Sequence, residues 1–110
     1  MDYIKYAGIL KVFSDPKRLK IIHMLSGGEL CACKIQEEFH VTQPTLSHDM
    51  KLMCDVGLVI PRKEGKWTHY SLNKEVLQDM YDVLGKIILY WFLLLLTFKV
   101  ISHRSGAERF

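Results

Sequence analysis

The sequence predicts a mainly helical domain carrying one small β-hairpin, and three observations support that expectation. Before residue 56, apolar residues recur at helical spacing in four separate stretches. Between residues 58 and 72 the pattern changes to two β-leaning runs, LVIPR and KWTHYSL, on either side of Gly65. From residue 74 the helical spacing returns. A chain of 110 residues has room for one such core and not for a second independent one.

The first helix is expected over residues 3–14 (YIKYAGILKVFS), where Ile4, Ala7, Ile9, Leu10 and Phe13 fall at roughly helical spacing. Ser14-Asp15-Pro16 opens the second. Asp15 can cap it, and Pro16 takes the first position, whose N–H has no partner in any case. Leu19, Ile21, Ile22, Met24 and Leu25 follow, and Gly27-Gly28 stops the run. A short third helix is expected over residues 29–39, with Leu30, Ile35 and Phe39 as its apolar contacts. His40-Val41-Thr42 is a tight connection. Thr42 caps the fourth helix, Pro44 sits in its first turn, and Leu46, Met50 and Met53 lie at i, i+4 and i+7 before the end near Asp55. The hairpin then pairs residues 58–62 with 66–72 across Lys63-Glu64-Gly65. Val76, Leu77, Met80, Val83, Leu84 and Ile87 mark the last helix.

Two helices joined by a turn of three or four residues form a helix-turn-helix, and a hairpin directly after the second is a wing. The expected fold is therefore a winged helix-turn-helix of order ααααββα. Residues 1–90 are assigned to that domain, and 91–110 to an apolar helical extension and tail of unassigned role.

Composition bounds the function. Apolar residues make up 49% and charged residues 25%, a globular balance. Lys+Arg exceeds Asp+Glu by 15 to 12, giving a net charge of +3, which permits a polyanion partner without requiring one. Three cysteines at irregular spacing, behind an N-terminus whose charges interrupt any leader-like apolar run, argue for reduced thiols and a cytoplasmic location. Ile87–Leu96 is ten apolar residues in a row. A bilayer-spanning helix needs roughly 20, so the expectation is a buried or partner-covered helix and not a membrane segment. No phosphate-cradling glycine loop and no C-x₅-R segment accompanies the cysteines, so no enzyme is expected.

If the fourth helix reads DNA, its outward residues near the N-terminus should be short and polar. Gln43, Pro44, Thr45, Ser47, His48 and Lys51 occupy those positions, and Gln43 suits a bidentate contact to adenine. Arg62, Lys63 and Lys66 surround the hairpin tip, where a wing approaches the phosphate backbone or minor groove. Helix and wing together point to double-stranded DNA.

At this point ELCACKIQEEFHVTQPTLSHDMKLM followed by GLVIPRKEGKWTHYSL resembles the ArsR family of winged-helix metalloregulatory repressors. The match runs over roughly residues 5–85, in order and spacing. It implies a cytoplasmic homodimer, paired through the first and last helices, on an inverted-repeat operator that is released when a metal or metalloid binds. Asp49 departs from the pattern, standing where relatives commonly carry His, and is expected to place a negative charge against phosphate.

Thiolates select soft ions, and Cys31 and Cys33 align with the ELCxC pair of the arsenical branch. The resemblance therefore implies trivalent arsenic or antimony as inducer, with no organic cofactor. In some relatives a third thiolate follows three residues after the pair, where this chain has Gln36. Cys54 is the other thiol and the candidate third ligand, within the subunit or across the dimer, an exogenous thiol being the substitute. Residues 75–90 contain no His, so the last-helix zinc site of other relatives is absent. The alternative is a winged-helix regulator sensing cadmium, lead, copper or thiol oxidation. Within a regular helix, positions i and i+2 diverge by about 200°. Chelation by Cys31 and Cys33 is thus expected to unwind the start of the third helix.

Overall fold

The computed structural model describes the backbone of residues 2–105 and the side chains of residues 2–99. The elements run α1 (Tyr3–Phe13), α2 (Pro16–Leu25), β1 (Leu30–Cys31), α3 (Ala32–Phe39), α4 (Gln43–Asp55), β2 (Val59–Glu64), β3 (Trp67–Leu72) and α5 (Lys74–Ser105). The fold is the expected one, a winged helix-turn-helix with a small antiparallel sheet of order β1-β3-β2. Two compact units are distinguishable, the first ending at Leu77 and the second beginning at Gln78.

Two side-chain caps, Asp15 and Thr42, start helices where the sequence placed them. Asp15 accepts from the Arg18 N–H at 3.0 Å and Pro16 occupies the first turn. Thr42 Oγ1 accepts from the Thr45 N–H at 3.4 Å and shares a hydrogen bond with Thr45 Oγ1 at 2.8 Å. Asn73 does two things: its Oδ1 accepts from the N–H groups of Glu75 and Val76, and its amide donates to Gly57 O at 3.0 Å. The start of α5 is thereby fastened to the turn that closes α4.

The core of the first unit collects Ile9 and Val12 of α1, Ile21, Ile22 and Leu25 of α2, Ile35 of α3, Leu46, Met50 and Met53 of α4, and Leu58 and Val59. Ile4, Leu10 and Leu19, expected among the inward residues, are exposed instead.

Two expectations need correction. The third helix does not begin at residue 29. Leu30 and Cys31 form β1, pairing antiparallel with Tyr70 and His69 of β3, and the helix starts only at Ala32. The backbone hydrogen bonds offered by the hairpin outweigh the weak helical start of Glu29-Leu30. The hairpin is also longer than expected. Its ladder extends to Glu64↔Trp67, leaving Gly65 and Lys66 as the turn. Gly65 has φ +61°, the left-handed conformation that a tight reversal demands and glycine accepts without steric cost.

Candidate nucleic-acid interface and thiol pair

Helix α4 divides cleanly into two faces. Leu46, Asp49, Met50 and Met53 are buried, whereas Gln43, Pro44, Thr45, Ser47, His48 and Lys51 are all exposed. The Thr42 cap leaves the first turn, with Gln43 to Thr45, at the open end of the helix. His40 makes the reversal between α3 and α4 possible by adopting φ 51° and ψ 34°, while its N–H donates to Gln36 O at 3.0 Å.

Asp49 does not stand where the sequence suggested. Its side chain is 6% exposed and paired with Lys17 Nζ at 2.7 Å and Arg18 at 3.5 Å. The negative charge is thus turned into the molecule and neutralised by α2, so it does not oppose phosphate. Arg18 also donates through Nε to Val12 O at 2.9 Å, tying α1, α2 and α4 together at one point.

The wing cations differ from one another. Arg62 is fully engaged: Nε and Nη2 reach the two oxygens of Glu29 at 3.0 and 2.6 Å, and Nη1 reaches Glu64 at 2.9 Å. These hydrogen bonds raise the Arg62 pKa further, and the same contact holds the Glu29 carboxyl below its ordinary value. Lys63 and Lys66 make no ion pair among the described residues, and the Lys66 ammonium lies 5.9 Å from the Trp67 ring centre. Lys51 pairs with Asp55 one helical turn on, at 2.8 Å, which raises its pKa.

Cys31 and Cys33 converge. Cys31 is the cap of α3, in extended conformation (φ −69°, ψ 143°), and its sulfur accepts from the Cys33 N–H at 3.3 Å. The two Cα atoms are 5.2 Å apart and the sulfurs are in direct contact as a bridged pair. The expected divergence fails because Cys31 lies outside the helix, at its cap, and its side chain turns toward Cys33. Cys33 lines an open cleft of about 480 Å³ with Gln36, Glu37, His40, Val41 and Trp67.

Cys54 is half-buried and not bridged. Burial, and then the neighbouring Asp55 carboxylate, push its thiol up, away from the thiolate. No group of three His, Cys, Asp or Glu side chains among the described residues is close enough to hold a metal ion. Glu29 was missed in sequence. Its only sign there is its place beside the cysteine pair, and its partner lies 33 residues away.

A family model described as "Bacterial regulatory protein, arsR family" matches residues 15–60. The chain is 47% identical over 87 residues to an arsenical resistance operon repressor of Staphylococcus aureus, covering 79% of this chain and 84% of that one. The chain belongs to the ArsR family. A second arsenical resistance operon repressor, from Staphylococcus xylosus, is 53% identical over 77 residues, covering 70% of this chain and 74% of the relative. Among solved structures, an ArsR family transcriptional regulator superposes with a TM-score of 0.74 at 20% identity, over 83% of this chain and 94% of that one, a likeness of fold. As an ArsR-family protein the chain is a DNA-binding transcriptional repressor and not an enzyme.

Proposed function

We propose that this ArsR-family repressor holds its operator through α4 and the wing, as a cytoplasmic homodimer on an inverted repeat, and releases it when Cys31 and Cys33 bind trivalent arsenic or antimony. The observation that carries this reading is the position of the thiol pair. Cys31 belongs at once to the cap of α3, the first helix of the reading unit, and to β1, which is paired with the wing. The names of the staphylococcal relatives support the class of inducer, and the pair, once reduced, supplies two neighbouring thiolates that suit a thiophilic ion.

The coupling follows from connectivity. Cys31 pairs with His69, which pairs with Arg62 on β2, and Arg62 returns to Glu29 beside Cys31. Any change in the position of Cys31 is therefore passed to the wing through a hydrogen-bonded ladder and an ion pair, and to α3 through its cap. A dimer must meet two half-sites about 34 Å apart, so small shifts of wing and helix cost affinity in both halves. Coupling of typically 1–3 kcal/mol changes operator affinity by roughly 5- to 150-fold. Gln43, Thr45, Ser47 and His48 contact bases and phosphates, with Lys63 and Lys66 on the backbone and Lys51 and Arg62 kept largely to their internal partners.

Gel shifts on the DNA upstream of the protein's own coding sequence test this. Arsenite should release the operator from the wild type, while Cys31→Ser and Cys33→Ser still bind DNA and ignore arsenite. Release that survives both substitutions sinks the reading. Cys54→Ser should respond like wild type, with an added small thiol able to serve as third donor.

One observation favours a second reading, thiol oxidation, since the pair is close enough to bridge. Peroxide in place of arsenite separates the two: release by peroxide alone, reversed by dithiothreitol, identifies a redox switch.

A further inference from the structure

We infer that the segment from Val83 to Ser102 inserts into a lipid bilayer with anionic headgroups, so that the DNA-reading unit of the proposed repressor works in the cytoplasm while tethered to the membrane surface. Helix α5 continues without a break to Ser105, and its stretch Lys74–Lys99 is long and apolar enough to cross a membrane, with none of the qualifying window buried. Ile88, Tyr90 and Trp91 are 61–66% exposed, and Ile87, Leu89 and Phe92 to Leu96 are 45–57% exposed. At 100° per residue, ten consecutive apolar residues occupy every face of a helix. This decides the occupant. A second copy of the chain packed alongside covers one stripe of a helix and leaves the rest in water, whereas a bilayer covers the whole circumference.

Length and chemistry agree. Val83 to Ser102 is about 20 residues, roughly 30 Å of helix, the thickness of a hydrocarbon core. The segment contains no Asp, Glu, Asn or Gln, and its two lysines, Lys86 and Lys99, each stand within a turn of one end, where a lysine stem lies along the apolar region and its ammonium reaches the headgroups. Thr97 donates its hydroxyl to Leu93 O at 2.9 Å, so that group needs no water. Charge complementarity selects the lipid: Lys99, His103, Arg104 and Arg109 follow or close the run against a single acid, Glu108, and clustered basic residues favour anionic lipid.

The full-length chain, purified in mild detergent, is mixed with phosphatidylglycerol/phosphatidylethanolamine vesicles, freed of detergent and centrifuged in a flotation gradient. It should rise with the vesicles and stay on them through an alkaline carbonate wash. Leu93→Arg/Leu94→Arg, checked for retained helicity by circular dichroism, should lose at least tenfold of the floated fraction. Lys99→Glu/Arg104→Glu should lose flotation severalfold more with anionic than with purely phosphatidylcholine vesicles. Wild-type protein that remains in the dense fractions, is stripped by carbonate, or is monodisperse without detergent or lipid overturns the inference; in the last case further copies of the chain cover the helix.

Discussion

Asp49 shows how one residue can invert its apparent meaning. In the sequence it is an acid on a DNA-reading helix. In the structure it is a buried anchor, held by Lys17 and Arg18. Removing one member of a buried ion pair strands the others and costs about 3–5 kcal/mol. Here the two cations keep partial access to water, so Asp49→Ala should cost about 2 kcal/mol in urea unfolding, while Asn, which keeps the shape and a hydrogen-bonding oxygen, should cost less. Glu29 offers a second residue-level test. Its carboxyl is held below the ordinary value of 4.5 by the Arg62 hydrogen bond. A depressed carboxylate pKa means the contact stabilises the fold above the unfolded value and is lost as pH falls through the lower, folded one. Following Glu29 by NMR, titration should occur below 4.5 in the wild type and move upward in Arg62→Ala. Neither partner was visible in sequence, because Asp49 meets α2 and Arg62 meets Glu29 across 33 residues.

Elements were more legible than their partners. The caps at Asp15 and Thr42, the two faces of α4 and the hairpin around Gly65 were all readable, because each is set by local chemistry within a few residues. The Thr42 cap makes its own prediction: Thr42→Ala should cost about 1 kcal/mol, read as a lower urea midpoint with unchanged slope, by leaving the first-turn N–H groups of α4 unmatched. Strand β1 was not readable. Two residues have no periodicity to detect, and Leu30 and Cys31 are extended only because β3, some 40 positions later, supplies their hydrogen bonds. That omission changed the chemistry inferred for the site: a Cys31 inside a helix would have pointed away from Cys33, whereas a Cys31 that ends a strand points toward it.

At the scale of the whole molecule, the net charge of +3 says less about DNA than the way the cations are committed. Arg62 and Lys51 are paired, while Lys63 and Lys66 have no carboxylate partner among the described residues. Each phosphate contact contributes about 0.9 to the slope of log affinity against log salt. Lys63→Ala and Lys66→Ala should therefore each reduce that slope by about 1 in fluorescence-anisotropy titrations, weakening all sequences alike, and Arg62→Ala should reduce it by less. A full unit of slope lost with Arg62 would show that its carboxylate partners yield to DNA.

The brevity of β1 has one further consequence. Its two residues cover the edge of β3 that faces away from β2, and an uncovered strand edge is a template for pairing with another chain. An inducer that draws Cys31 out of the ladder bares that edge. If the proposed inducer does so, the β3 amide that donates to β1 should exchange with solvent faster in hydrogen-exchange measurements, while the β3 amides that donate to β2 stay protected. The same displacement would leave a strand margin open to pairing with another chain.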